Sequence, residues 1–255
     1  MREWITGRQP VYETLRAARR QAARLWIAQN TEEKARLADI LHLAESKQIP
    51  IERVPRSRLD PLAQNHQGVA LQTSAYPYET LPDILEFAAQ SGEPPFLLLL
   101  DTLQDPQNLG TLLRTAEAVG IHGVLLPLRR TATVTPAVVS ASSGASEHLR
   151  IAQVNLAQAI QTLKQADIWV VGLDGSETAQ LPQRIRLDGP LALVVGSEGQ
   201  GMRSLVMQSC DFLMQLPMRG RIESLNAAVA GSVALYLAWQ SRGFSLKTID
   251  ARNES

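Results

Sequence analysis

Three stretches of this chain put polar side chains where strands end and helices begin. In DTLQDPQNLGTLLRTAEAVG, residues 101–120, an apolar run stops at Asp101, Asp105-Pro106 makes a turn, and a helical pattern opens near Asn108. Helical spacing sets Asn108, Leu112 and Thr115 toward one face, with Arg114 round the side. Without a function, the pair is an N-capping Asn and a surface Arg. In LALVVGSEGQGM, residues 191–202, glycines fall at 196, 199 and 201, a G-x-x-G-x-G order rather than the G-x-G-x-x-G of a dinucleotide site. No acidic residue ends the next strand to hold a ribose, and Glu198 would repel a phosphate. The loop suits a cofactor gripped by backbone amides and carbonyls, its carboxylate kept for another task. In FLMQLPMRGRIESLNAAVAGSVALYLAW, residues 212–239, Ser224 and Asn226 open a helix whose first turns are small: Ala227, Ala228, Ala230, Gly231 and Ser232. Gly and Ser there are poor helix formers, so something must press against that helix; a cap followed by a tightly packed core helix is the plain alternative.

The elements that would position these loops alternate. After Pro95 come a strand at FLLLL, a helix from about 108, a strand at GVLLP, a helix near 135–143, a strand at HLRIAQV and a helix over 155–166. Strands at WVVGLD, LALVVG and FLMQLP follow, with a helix after Gly201 and a long helix over 224–241. Strands that are apolar throughout and alternate with helices predict a parallel sheet covered on both faces, with ligands at the strands' carboxyl ends. Before it, a helix over 10–20, a strand at ARLWIA, a helix over 31–46 and strands at IPIERV and GVALQT make a small α/β module. Proline-rich text between Ser74 and Pro95 marks the boundary, giving divisions at 1–75, 76–95, 96–243 and a tail at 244–255.

Composition suits one large domain, or a small one plus a medium one, soluble and folded: 255 residues, 45% hydrophobic and 20% charged. The single cysteine, Cys210, excludes an internal disulfide and reads as a small buried apolar residue, and no Cys/His cluster has zinc spacing. No signal peptide or membrane span is legible, so a cytoplasmic location is expected. Net charge is zero, yet residues 1–75 carry 12 Lys/Arg against 8 Asp/Glu. A local basic excess is the footprint of a nucleic-acid-binding arm, or an ordinary solvated surface.

Taken together, QDPQNLGTLLRTAEAVG, VVGSEGQGM and LPMRGRIESLNAAVA resemble, in order and spacing, the three motifs of the SpoU/TrmH family of RNA ribose 2'-O-methyltransferases, over roughly residues 96–241. The amino-terminal GRQPVYETLRA and HQGVALQ further resemble the substrate-binding domain of the RlmB-type members, which methylate a guanosine ribose in 23S rRNA. The resemblance implies an α/β fold with a carboxyl-terminal trefoil knot, which periodicity would never suggest. It also implies a homodimer, with ribosomal RNA as partner and S-adenosylmethionine as cofactor. The cofactor would be clasped around Gly196, Leu216, Met218 and Leu225, with the loop at Leu173. The family's functional positions fall on Asn108, Arg114, Glu198, Ser224 and Asn226. One departure stands out: members often have Val and Ser after SLN, where this chain has Ala227 and Ala228.

The chemistry implied needs no metal, because the methyl donor is a sulfonium cation. It needs a 2'-hydroxyl activated and aligned with the methyl group. Arg114 has two possible roles there: clamping the adjacent phosphate and developing alkoxide, or accepting the proton in an altered environment. Asn108 and Asn226 would orient the arginine, ribose and cofactor, and Glu198 would fix one of these donors. A tRNA ribose methylase and a non-catalytic RNA-binding or ribosome-assembly factor are the competing readings.

Overall fold

A computed structural model of the protein describes residues 2–129, 131–222 and 224–244. All of the expected tail except Phe244 lies outside them.

The first sheet is built by β1 (Arg2–Thr6), β2 (Ala22–Ala28), β3 (Ile51–Val54) and β4 (Val69–Ser74), with α1 (Arg8–Ala17) and α2 (Arg36–Ser46) between them. Its order is β1-β4-β2-β3; β4 runs antiparallel to both neighbours, and β2 and β3 are parallel. β1 is absent from the periodicity reading because REWIT has charged residues at its start and buries only Ile5 and Thr6 fully. α3 (Leu81–Gln90) follows, opened by a capping box between Thr80 and Asp83.

The second sheet has six strands, all parallel: β5 (Phe96–Leu100), β6 (Gly123–Pro127), β7 (Ile151–Val154), β8 (Trp169–Leu173), β9 (Leu191–Val195) and β10 (Phe212–Met214), in the order β10-β8-β9-β5-β6-β7. β5, β6 and β9 are buried at every residue, as strands covered on both faces must be. The helices are α4 (Pro106–Ala118), α5 (Pro136–Ala141), α6 (Leu156–Gln165), α7 (Ser204–Ser209) and α8 (Ala227–Ser241). HLRIAQV is a strand only from Ile151, since Ala145–His148 is a 3-10 turn. FLMQLP ends its strand at Met214; Gln215 N–H instead bonds the Gln180 carbonyl.

Small residues let α8 close on the sheet. A Cβ at Gly231 would lie 2.5 Å from a Leu112 methyl on α4 and 3.1 Å from a Val195 methyl on β9. Beside that contact Thr115 and Ser232 share a hydroxyl bond of 2.9 Å. The neighbour that the poor helix formers of α8 require is therefore α4 with the end of β9.

Candidate active site

The first helix start is capped differently from expectation, and the second by one of the two residues expected there. Asp105, not Asn108, caps α4: its Oδ1 accepts from Gln107 N–H at 3.1 Å. This leaves the Asn108 amide in the first turn free for other work. Asn226 caps α8, its Oδ1 accepting from the N–H groups of Ala228 at 2.9 Å and Val229 at 3.3 Å, while Ser224 lies outside the helix.

The cap leaves the Asn226 amide nitrogen pointing the other way. Its Nδ2 donates to Glu198 Oε2 at 3.0 Å and to Asn108 Oδ1 at 3.1 Å, and Asn108 Nδ2 donates to the same Glu198 oxygen at 3.4 Å. Three residues from three loops, 90 and 118 positions from Asn108, thus form one closed set. Arg114 stands apart from it. Its Nη1 donates to Ser143 Oγ at 3.3 Å, so Ser143, rather than either Asn, is the partner that orients the guanidinium.

Against this set lies a cleft of about 620 Å³ at the carboxyl ends of β8, β9 and β10, a volume within the range of small-molecule sites. Leu173, Gly196, Leu216, Met218 and Leu225 all line it, as do Glu198 and Ser224. Residues 196–201 and 214–216 make up much of the wall. The shape of the glycine loop is forced: Ser197 and Gly201 exchange backbone hydrogen bonds of 3.0 Å, and a Cβ on Gly196 would run into the backbone of Gly201 and Met202.

Two residues that spacing did not single out belong to this architecture. Asp101, fully buried at the end of β5, accepts from Arg203 N–H and Nε at 2.8 Å each and pairs with its Nη2 at 2.7 Å, anchoring the loop that carries Glu198. An acid ending one buried strand and an Arg just past the glycine loop was the available signal. Asp174 lines the cleft at the end of β8. The next strand in sequence after the glycine loop, β10, has no such acid at its end, but β8, its neighbour in space, does. Among the described residues no cluster of His, Cys, Asp and Glu could hold a metal ion.

The glycine loop and a carboxylate-bound amide pair thus meet at one cleft. Residues 95–236 match the SpoU rRNA Methylase family, and residues 4–79 match RNA 2'-O ribose methyltransferase substrate binding. The chain is 44% identical over 244 residues to the putative TrmH family tRNA/rRNA methyltransferase YacO of Bacillus subtilis, covering 94% of this chain and 96% of that protein. Among solved structures it resembles the AdoMet complex of the SpoU methyltransferase AviRb from Streptomyces viridochromogenes, with a TM-score of 0.79 at 22% identity over 96% of this chain and 92% of that one. It also resembles an AdoMet-bound rRNA methyltransferase from Sinorhizobium meliloti, with a TM-score of 0.78 at 23% identity over 96% and 88%. The chain belongs to the SpoU methylase family. As a member it is an S-adenosylmethionine-dependent RNA 2'-O-methyltransferase.

Proposed function

We propose that the protein methylates the ribose 2'-hydroxyl of a guanosine in 23S ribosomal RNA. The bonded set of Asn108, Glu198 and Asn226 at the rim of the cleft carries this reading, because it presents amide groups, held by one carboxylate, beside the place where a methyl donor would lie.

The cofactor, when bound, supplies a methyl group on a sulfonium and so an electrophile without a metal. Leu173, Gly196, Leu216, Met218 and Leu225 would hold it through the cleft wall. Glu198 fixes the Asn108 and Asn226 amides, which then orient the ribose, and Ser224 lies on the same wall. Arg114 clamps the neighbouring phosphate and the developing alkoxide; a planar guanidinium that presents only N–H donors does this more easily than it removes a proton.

Ribosomal rather than transfer RNA is favoured by the two-module build, which the rRNA methyltransferase of Sinorhizobium meliloti matches over 96% of this chain. Residues 1–75 would bind RNA, 76–95 would link, and 96–243 would carry the catalytic sheet. Not every arginine of the first module faces RNA. Arg20 is fully buried in an ion pair, Arg19 pairs with Glu79 at 2.5 Å, and Arg58 lies 4.3 Å over the Trp26 ring. Arg2, Lys47 and Arg56 are exposed and are candidates for phosphate contact.

The segment from β9 to α8 would thread as a trefoil knot. In support, β9 lies between β5 and β8, and α8 returns from the β10 edge to pack on β9 and α4. A homodimer would cover the stripe of Val229, Val233 and Tyr236 along α8, exposed at 47%, 40% and 46%. The cytoplasm, where ribosomal RNA is assembled, would be its location.

Mapping 2'-O-methyl groups on 23S rRNA from cells with and without the gene tests the target. Loss of one guanosine ribose methyl is expected. An unchanged ribosomal map with a tRNA methyl lost would overturn the ribosomal assignment.

A further inference from the structure

Arg114 takes its only described support from a residue in a strained turn. Ser143 has φ 55 and Gly144 has φ 87, so two consecutive residues after α5 are left-handed, a conformation a serine adopts only when its surroundings hold it there.

Those surroundings come from two sides. From the catalytic sheet, α4 presses on the end of α5 at Gly110, where a Cβ would collide with Ala141 and lie 2.8 Å from Ser142 N. From the first module, α1 presses on Gly144, where a Cβ would lie 2.6 Å from Glu13 Cβ and 3.2 Å from Pro10 Cα. The turn is then pinned by the first module and by the start of the linker. Glu13 bonds His148 at 2.7 Å, Arg20 Nε bonds Glu147 at 2.8 Å with both side chains almost wholly buried, and the Tyr76 hydroxyl donates to the Leu149 carbonyl at 2.6 Å. Burial raises the Tyr76 phenol well above its ordinary pKa, so it stays a donor at every relevant pH.

We propose that Ser143 is a positioning residue for Arg114, and that the docking of the amino-terminal module holds it in place. The inference rests on the proposed role of Arg114. Its physical content is that the guanidinium fork has a long, flexible stem on an exposed helix face. One accepting hydroxyl, fixed by a turn that cannot relax while α1 backs it, restricts where the fork points. The module that binds RNA would then also build the site that reacts with it.

Two substitutions separate the hydroxyl from the backbone, because Gly and Asn both tolerate the left-handed region. Ser143→Gly keeps the turn and deletes the acceptor; Ser143→Asn keeps the turn and restores one through its amide oxygen. With full-length protein, S-adenosylmethionine and 23S rRNA, kcat of the Gly variant is expected to fall about tenfold, as loss of a hydrogen bond to a charged group implies. Cofactor Kd and the RNA KM should stay within about twofold, and the Asn variant should recover most of kcat. A Gly variant with wild-type kcat, or an Asn variant no better than Gly, would overturn the inference. The wild-type protein and Arg114→Ala run alongside. An inactive wild type condemns the proposed function instead, and an active Arg114→Ala the reading of Arg114.

Discussion

Asn226 performs two jobs with opposite ends of one amide, and a set of substitutions can part them. Its oxygen caps α8, and its nitrogen donates to Glu198 at 3.0 Å. Asn226→Ser keeps an N-capping acceptor and removes the donor. Asn226→Asp also keeps the cap, since Asp and Asn cap about equally, but sets an oxygen where the nitrogen stood, against the Glu198 carboxylate. Two unit charges about 4 Å apart repel by about 1 kcal/mol in water and about 4 kcal/mol near a protein surface. Glu198 is exposed, so the lower figure applies. That repulsion raises the folded pKa of one carboxyl of the new pair. A carboxyl raised in the folded state contributes stability that is full below its unfolded pKa and is lost as pH rises through the folded value. Urea unfolding of the Asp variant should therefore lose about 1 kcal/mol relative to the Ser variant between about pH 4 and pH 6, and stay offset above that. Parallel pH profiles for the two variants would refute the contact between Asn226 and Glu198. Methyl transfer should be depressed in both.

Other outcomes follow from single features. Gly196→Ala should abolish cofactor binding by calorimetry, because the added carbon meets backbone at Gly201 and Met202 rather than a movable side chain; binding within tenfold of wild type would show that the loop can open. Burial pushes the Cys210 thiol up to about 12, so an aromatic disulfide reagent at pH 8 should titrate it only after denaturation, and fast reaction of the native protein would contradict its packing. The His148 hydrogen bond holds the Glu13 carboxyl below its ordinary value. That pair contributes stability above the ordinary carboxylate pKa, lost as pH falls through the lowered one. Glu13→Gln should therefore shrink the loss of stability on acidification, and an unchanged acid limb would remove the pair from the account.

Legibility in the sequence followed burial. β5 and β9 were plain because a strand covered on both faces has no polar register to disguise it, whereas β1 hid behind Arg2 and Glu3. The bonded set was visible as three separate stretches, but nothing local says that Asn108 and Asn226 share one Glu198 oxygen; the strand order that puts β9 beside β5 brings them together. Asp101 was visible as the end of a strand and invisible as the anchor of Arg203, 102 residues away. The junction was illegible for the same reason. Arg20 and Glu147, 127 residues apart, carry no spacing signal, yet they form a buried ion pair. Breaking such a pair from one side costs about 3–5 kcal/mol. A boundary in proline-rich text therefore says where the chain crosses between modules, and little about how firmly they are joined.

The central claim, that this cleft and its rim place a methyl group on a ribose oxygen of RNA, is tested most directly by nucleoside analysis. Ribosomal RNA that lacks the modification would be incubated with the protein and isotopically labelled S-adenosylmethionine, digested, and separated with mass detection. The account predicts label in 2'-O-methylguanosine from 23S rRNA, and none with Arg114→Ala. Label on a base instead of a ribose, or no transfer to any RNA by a folded, cofactor-binding protein, would contradict it.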